Sequence, residues 1–575
     1  MSNVWYLYRK KCDFQGLADR LHVDPVIIRI MCNRGVPEAQ MASFLHPGPA
    51  DLHDPQLLSD VQKGARLLAE KIYGHVPIRI IGDYDADGVC STCILLLGLR
   101  ALGADVDYRI PERERHGYGL HEELIHLALR DGRQVLLTCD NGISEAASIA
   151  MAKEAGMTVI VTDHHNPPEV LPAADAVIDP KCPGSAYPYR EICGAVVAMK
   201  FLQVLYALMG RSPDEPLKYL DIAAFATVCD VMPLRDENRY IVQEGLKRIR
   251  HTENRGLRAL MAVCEVTQPK AWHFGFVLGP CVNAAGRLRT AEDAMRLLLA
   301  DSDETAYDCA LMLKALNDER KSMTERSVTE AFRQIEEAGD GLDRVLVLHL
   351  PDCPDSIAGI VAGRVRERLC RPVLIASGKG EVLKGSARSI PAYSLYDEMS
   401  RVKELFVKFG GHPLAAGFSI RRESLDLLRR RLNENCTLRD EDLREKKYID
   451  ADMPMSYVSV GLLEQMDLLS PFGTENPEPV FAEKQAVLLR AVRIGKEKQY
   501  LRFTVCTRSG FRTEAVYFGD ASEFLGNYRA KFGETSEEHL LCGKGEEAIS
   551  FVYRPQINEY RGRTSVSYRI SDFIF

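Results

Sequence analysis

Four apolar runs in the first half of the chain each end in an acid. Residues 78–81 lead into Gly82-Asp83-Tyr84-Asp85-Ala86-Asp87-Gly88, residues 135–138 into Cys139-Asp140-Asn141-Gly142, and residues 159–162 into Asp163-His164-His165. A fourth run, 223–228, leads into Cys229-Asp230. If these runs are strands of one parallel sheet, the acids gather at its carboxyl edge, where open α/β sheets bind ligands. Carboxylates crowded in a partly dehydrated crevice repel one another and demand a counter-charge. Divalent cations supply it, and oxygen-rich sites with an imidazole suit Mn²⁺ and admit Mg²⁺. Two such ions can activate water and stabilise both oxygens of an in-line phosphoryl displacement. A single aspartate after a strand is usually a turn former or helix cap. Four of them, joined by two adjacent histidines, favour the metal site. An EF-hand fails because its spaced acids and terminal Glu do not follow Asp87.

A second group lies further on. Lys384-Gly385-Ser386-Ala387-Arg388-Ser389 and Phe409-Gly410-Gly411-His412-Pro413 carry an Arg and a His but no acid cluster. Paired glycines let backbone N–H groups approach a phosphate, and Arg388 can bind one bidentately. Turns with positive φ explain the glycines equally well on their own.

The elements that must position these residues follow from periodicity. Strands at 77–81, 135–138, 158–162 and 176–178 alternate with helices at 89–102, from Ser144 as cap to Lys153, and at 194–209. That alternation predicts a parallel sheet covered on both faces. Residues 291–339 read as helical. A second α/β unit has strands at 344–349, 372–376 and 383–389, a helix at 356–369, and helices continuing to about 436. Beyond 448 the alternating segments 486–494, 500–506, 512–518, 548–554 and 564–570 suggest a small β-barrel. The fold class expected is α/β: two parallel-sheet domains joined by a long helical connector, plus a C-terminal barrel.

Composition narrows the class. The 575 residues, 46% hydrophobic and 27% charged, describe an ordinary globular chain of several domains. The sequence shows neither a run of about 20 apolar residues nor a signal-peptide core, so a cytoplasmic protein is expected. Sixteen cysteines in a chain this long do not suggest a disulfide scaffold. The pair Cys90 and Cys93 lacks the second ligand pair of a zinc site. A net charge of −8 does not advertise nucleic-acid binding. Basic residues nevertheless cluster near the C-terminus, interleaved with Tyr500, Phe503, Tyr517, Phe518, Tyr553 and Tyr560.

The quoted motifs together resemble the DHH phosphoesterase superfamily, and the glycine-rich second unit resembles its DHHA1 domain. Asn283-Ala284-Ala285-Gly286-Arg287 and Pro471-Phe472-Gly473-Thr474-Glu475-Asn476-Pro477 narrow the resemblance to the RecJ family of single-strand-specific exonucleases. The resemblance covers the chain from about Leu45 onward. It implies domains at 51–290 (DHH), 341–436 (DHHA1) and 448–575 (OB-like), with a helical segment at 1–50 and a connector at 291–340. It implies two ions, Mn²⁺ or Mg²⁺, held by Asp85, Asp87, Asp140, His164 and Asp230, with Asp83 in or beside that set. Asp163 and His165 would orient the ligands or meet the phosphate. Arg109, Asn283, Arg287, Ser386, Arg388, Gly410, Gly411 and His412 would contact the nucleic-acid backbone. The activity implied is 5′→3′ hydrolysis of single-stranded DNA to mononucleotides in repair and recombination. Family role adds a helicase and a single-strand-binding protein as partners, with a monomer the default state. A phosphodiesterase acting on short oligonucleotides or cyclic dinucleotides is the alternative. Such enzymes commonly lack the OB-like tail, so residues 450–575 argue against it.

Overall fold

A computed structural model of the chain describes residues 4–113, 119–339, 341–560 and 562–575. The chain divides into two compact units, Leu52–Arg444 and a discontinuous one made of Met1–Asp51 with Glu445–Phe575.

The larger unit begins with a five-stranded parallel sheet. Its spatial order is Val106–Arg109, Ile78–Ile81, Val135–Cys139, Thr158–Thr162, Ala176–Ile178. Ile78–Ile81 and Val135–Cys139 are buried along their whole length, as expected when helices cover both faces. The helix Ala86–Ala101 is apolar nearly all round and packs against Gly194–Leu208. A Cβ on Gly98 would come within 2.3 Å of Leu202, so glycine permits this close approach. Cys90 and Cys93 are buried within the same helix, and the sixteen cysteines form no disulfides.

The run 223–228 is not a strand. It lies in the helix Leu220–Cys229, fully buried over most of its length. A short apolar run has no diagnostic period, and the alanines 223, 224 and 226 favour helix over the pleat. Ser144 is not a helix cap either. The following helix is Ala146–Glu154, with Glu145 at the N-cap.

Helix Asp303–Glu337 is 35 residues long, about 52 Å at 1.5 Å per residue, and leads to the second sheet. That sheet has the order Phe406–His412, Ala415–Arg421, Val382–Arg388, Val373–Ser377, Leu346–Leu350. The expected parallel arrangement holds only for Leu346–Leu350 with Val373–Ser377. The other pairs are antiparallel. The reason is connection length. Helix Asp355–Leu369 supplies the crossover that a parallel pair needs, whereas the links at 378–381 and 413–414 reach only an antiparallel neighbour. Residues 406–421, expected as helix and glycine loop, thus form a hairpin that places Gly410, Gly411 and His412 on an exposed edge strand.

In the smaller unit the N-terminal segment is not wholly helical. Strand Val4–Leu7 pairs in parallel with Lys446–Ile449. Helix Pro25–Asn33 shares one apolar core with the closed barrel Phe481–Ile494, Tyr500–Cys506, Arg512–Tyr517, Arg563–Ile574, Ala548–Tyr560. Asn476 of the Pro471–Asn476 motif is a turn residue here. It donates to the Leu469 and Pro471 carbonyls and accepts from Arg34 at 2.7 Å. Among the described residues no helix is long and apolar enough to cross a membrane.

Candidate metal centre

The strand order changes direction between Ile78–Ile81 and Val135–Cys139, because one chain connection runs to Val106–Arg109 and the next crosses to the other side. A crevice opens at such a switch point. Asp83 and Asp140 follow the two strands that flank it.

Asp85 caps the helix Ala86–Ala101, its Oδ1 accepting from the N–H groups of Asp87 (2.9 Å) and Gly88 (3.1 Å). The turn is so tight that a Cβ on Gly88 would lie 2.5 Å from the Asp83 carbonyl oxygen. Asp87 accepts from Gly194 (2.6 Å) and Ala195 (2.9 Å), the first N–H groups of Gly194–Leu208, where the helix dipole favours a negative charge. Asp140 sits at φ 59°, a left-handed conformation that Asp and Asn tolerate better than most residues. His164 Nε2 stands 3.0 Å from Asp140 and 3.6 Å from both Asp87 and Asp230. Asp230 arrives as the C-cap of Leu220–Cys229 rather than from a strand.

Three sets of side chains bring ligand atoms within 4.8 Å of one another: Asp83, Asp85 and Asp140; Asp87, His164 and Asp230; Asp140, His164 and His165. All six expected ligands are in these sets, and His165 joins them. Asp163 does not. Its buried carboxylate accepts from the N–H groups of His164, His165 and Ile143, and meets His165 Nδ1 at 2.8 Å. It fixes the His165 ring, the arrangement common behind metal-binding imidazoles, and holds His164 only through its backbone N–H.

Electrostatics say what the cluster lacks. Burial, and then neighbouring carboxylates, push Asp83, Asp140 and Asp230 well above the usual carboxylate range. Burial lowers His164 to about 4, which keeps its imidazole neutral as metal ligation requires. Burial would lower His165 too, but the hydrogen bond to Asp163 and the charges of Asp163, Asp230 and Asp87 together outweigh it and raise the ring to about 9. Among the described residues Asp83 Oδ1, Asp230 Oδ2 and His164 Nδ1 are buried without a hydrogen-bond partner. Buried polar atoms are normally satisfied. A cation suits the two orphaned carboxylate oxygens and the repulsion around them, so the donor set fits divalent metal.

The facing wall is built on helix Gly279–Leu288. A Cβ on Gly286 would lie 2.4 Å from the Tyr84 carbonyl oxygen, so this helix rests directly on the acidic turn. Asn283 accepts from the Ala86 N–H at 2.8 Å, and Arg287 donates to the Ser356 carbonyl at 2.9 Å. Asn283, expected at the nucleic acid, thus has its side-chain oxygen engaged in positioning the acidic turn. Burial and then Arg113 and Arg320 lower Arg287 to about 10. Burial, Arg366 and Arg113 likewise lower Arg388. Its guanidinium lies over Gly359, where a Cβ would come within 2.8 Å. Arg113 stands 5.5 Å from the centre of the Tyr84 ring. Dehydrated, mutually repelling guanidiniums are relieved by an anion, and phosphate fits them bidentately. Sequence reasoning missed Arg113 and Arg320. Arg113 was findable, four residues past a strand at the same sheet edge; Arg320, in the long helix, belongs to no motif.

Two cavities of about 360 Å³ each adjoin these walls. One is lined by Asp163, His164, His165, Lys181, Asp230 and His412, among others. The other includes Arg113, Lys384, Ser386, Lys408 and Gly410. His412 therefore reaches the metal crevice from the second sheet, while Ser386 and Gly410 line the basic cavity. Arg109 ends its strand half-buried, donating to its neighbour's carbonyl. In the barrel, Phe503 and Tyr553 are core residues. Phe518 is exposed, with Arg569 5.2 Å from its ring centre. The Tyr560 side chain lies outside the described residues.

Residues 77–227 match the DHH family, N-terminal domain, residues 342–437 the DHHA1 domain, and residues 449–572 the RecJ OB domain. The single-stranded-DNA-specific exonuclease RecJ of Bacillus subtilis (strain 168) is 34% identical over 99% of this chain and 70% of that protein. The chain belongs to the RecJ family. A crystal structure of RecJ in complex with Mn²⁺ from Thermus thermophilus superposes with a TM-score of 0.82 at 30% identity, covering 100% of this chain and 79% of that one. The Mg²⁺ complex of RecJ from the same organism gives 0.76 at 28% identity, covering 99% and 78%. RecJ architecture thus accounts for the order of the two α/β domains and the barrel.

Proposed function

We propose that the chain is a Mn²⁺- or Mg²⁺-dependent exonuclease that hydrolyses single-stranded DNA from the 5′ end to mononucleotides. One observation carries this reading: an acidic crevice with orphaned carboxylate oxygens faces a wall of dehydrated arginines within one compact unit. The names and metal complexes of its RecJ relatives support the choice of substrate and ion.

In this reading Asp83, Asp85, Asp87, Asp140, His164 and Asp230 hold two ions. Bound there, the ions lower the pKa of a water and offset charge on the phosphate. Asp163 fixes the His165 ring through Nδ1, which leaves Nε2 to meet a phosphate oxygen. Arg287 and Arg388 bind the phosphates, and Gly410, Gly411 and His412 close over the strand from the second sheet. Asn283 acts indirectly, by holding the acidic turn. We assign Arg109 and Ser386 to the nucleic-acid backbone. The enzyme acts in the cytoplasm as a monomer, on strands opened by a helicase and covered by a single-strand-binding protein. Sixteen cysteines outside any disulfide fit a reducing compartment.

The test is digestion of a 5′-labelled single-stranded oligonucleotide with Mn²⁺, beside its duplex and an Asp140→Asn variant. Early release of labelled mononucleotide from the single strand alone, lost in the variant, is expected. No release from folded, metal-loaded protein would overturn the reading and point to cyclic dinucleotides or very short oligonucleotides.

A further inference from the structure

The smaller unit carries a row of aromatic rings outside its barrel. Strand Val4–Leu7 and the paired Lys446–Ile449 have two unlike faces. Trp5, Leu7 and Ile449 point inward, against Ala482 and Val552. Trp5 is fixed there by a 2.7 Å hydrogen bond to Asp572. Tyr6 and Tyr448, opposite each other in register, occupy the outer face with Tyr8 just beyond. The three rings form a continuous stack. Tyr6 and Tyr448 lie 5.5 Å apart and 25° from parallel; Tyr448 and Tyr8 lie 5.4 Å apart and 21° from parallel. At that separation near-parallel rings are slipped rather than eclipsed, leaving part of each π-face uncovered. All three remain 38–49% exposed.

Cross-strand aromatic pairs stabilise a sheet, but that role does not explain what surrounds them. Arg9, Lys10 and Lys11 follow Tyr8, and Arg444, Lys446 and Lys447 precede Tyr448; of the acids nearby, Asp450 is paired with Arg34, Asp440 with Arg344, Glu441 with Arg439 and Glu445 with Lys447. Lys447 is on the inner face near Asp572, while Lys446 is exposed on the tyrosine face. Arg9, Lys11 and Lys446 are thus exposed cations beside the rings. Exposed rings beside basic side chains are how sequence-tolerant single-strand binders hold bases and phosphates together.

We propose that Tyr6, Tyr448 and Tyr8 form a stacking platform for the bases of single-stranded DNA, with Arg9, Lys11 and Lys446 meeting its phosphates. The platform rests on the exonuclease reading above only for the identity of the strand. It lies outside all three matched domains, and it adds a second holding point for the substrate, distinct from the barrel.

Binding of the full chain to a fluorescein-labelled thymidine oligonucleotide is followed by anisotropy in EDTA, where hydrolysis is absent. The joint Tyr6→Leu, Tyr8→Leu and Tyr448→Leu variant keeps apolar area but removes the π-faces. It should bind more than about tenfold more weakly, since loss of one base stack alone is worth about fivefold or more. The corresponding Phe variant should bind within about twofold of the parent. In the unaltered chain, an oligonucleotide bearing 5-iodo-deoxyuridine should photo-crosslink to at least one of the three tyrosines. Leu variants that fold and bind like the parent would overturn the proposal, as would crosslinks that avoid these residues. If the Leu variant fails to fold, the crosslinks decide. Mononucleotide release by the unaltered chain with Mn²⁺ is scored separately, so loss of the exonuclease reading and loss of the platform are told apart.

Discussion

Replacing Asp140 with asparagine should make the metal-free protein more stable while destroying its response to metal. Asp140 has a ligand atom within 4.8 Å of those of Asp83 and Asp85. At that separation a pair of unit charges costs about 3 kcal/mol at an effective dielectric of about 20. Partial protonation already relieves some of this, because burial and Asp87 push the Asp140 pKa well up. A net gain of about 1–3 kcal/mol remains for the neutral side chain. Asparagine keeps what else the position needs. It tolerates φ 59°, and its Oδ1 can still accept from His164 Nε2, now 3.0 Å away. Alanine loses that bond and strains the backbone by about 1–2 kcal/mol, so Asp140→Ala should gain less. The assay is thermal unfolding in EDTA and in saturating Mn²⁺. Asp140→Asn should melt roughly 2–6 °C higher than the parent in EDTA, at a few degrees per kcal/mol. The parent should gain about 4 kcal/mol from Mn²⁺ at a thousand times its Kd, and the variant little. A variant less stable than the parent in EDTA, yet still stabilised by Mn²⁺, would refute the charge-crowding argument.

The same crowding has a pH signature. Asp83, Asp140 and Asp230 have folded pKa values raised above their unfolded values. The folded state therefore holds more protons than the unfolded one as pH rises past about 4, and metal-free stability falls toward neutral pH. Mn²⁺ should accordingly raise the melting temperature more at pH 8 than at pH 5.5; an equal shift would count against it. Asn283→Ala leaves the Ala86 N–H without its 2.8 Å acceptor, at about 1–3 kcal/mol, and loosens the acidic turn. Mn²⁺ affinity by calorimetry should drop about 10–100-fold, whereas a residue acting only on the nucleic acid would leave it unchanged. Lys200 and Glu237 form an ion pair at 2.9 Å, both essentially fully buried. Lys200→Met leaves the buried carboxylate without its ammonium partner, with the Tyr187 hydroxyl and the His53 N–H as neutral donors, so urea unfolding should show a loss of about 3–5 kcal/mol; a neutral outcome would refute the need for the cation.

Much of the candidate site was legible because most of its acids are short side chains fixed just beyond strand ends. Asp83, Asp140 and Asp163 follow directly from where an apolar run stops, and the sheet does the rest. Asp230 was located for the wrong reason, since a run rich in alanine looks the same as a strand until its packing is known. The second sheet was misread where the decisive information is the length of a link rather than the character of a strand, as at 378–381. Asn283 shows the deepest limit. Its motif marked it as functional, but only the three-dimensional meeting of Gly286 with Tyr84 shows that its side chain holds the acidic turn from behind.

The smaller unit is assembled from both ends of the chain, which sets a timetable for synthesis. Ile27, Ile28, Ile30 and Met31 belong to a core completed by Met455, Leu469 and Phe481. Everything from Leu52 to Arg444 leaves the ribosome in between, an interval of roughly 20–80 s at 5–20 residues per second. For that time the larger unit can fold on its own while the leading helices hold an apolar face with nothing to cover it. A chain cut short near Arg444 would carry the crevice residues together with an apolar helix face whose covering residues are missing.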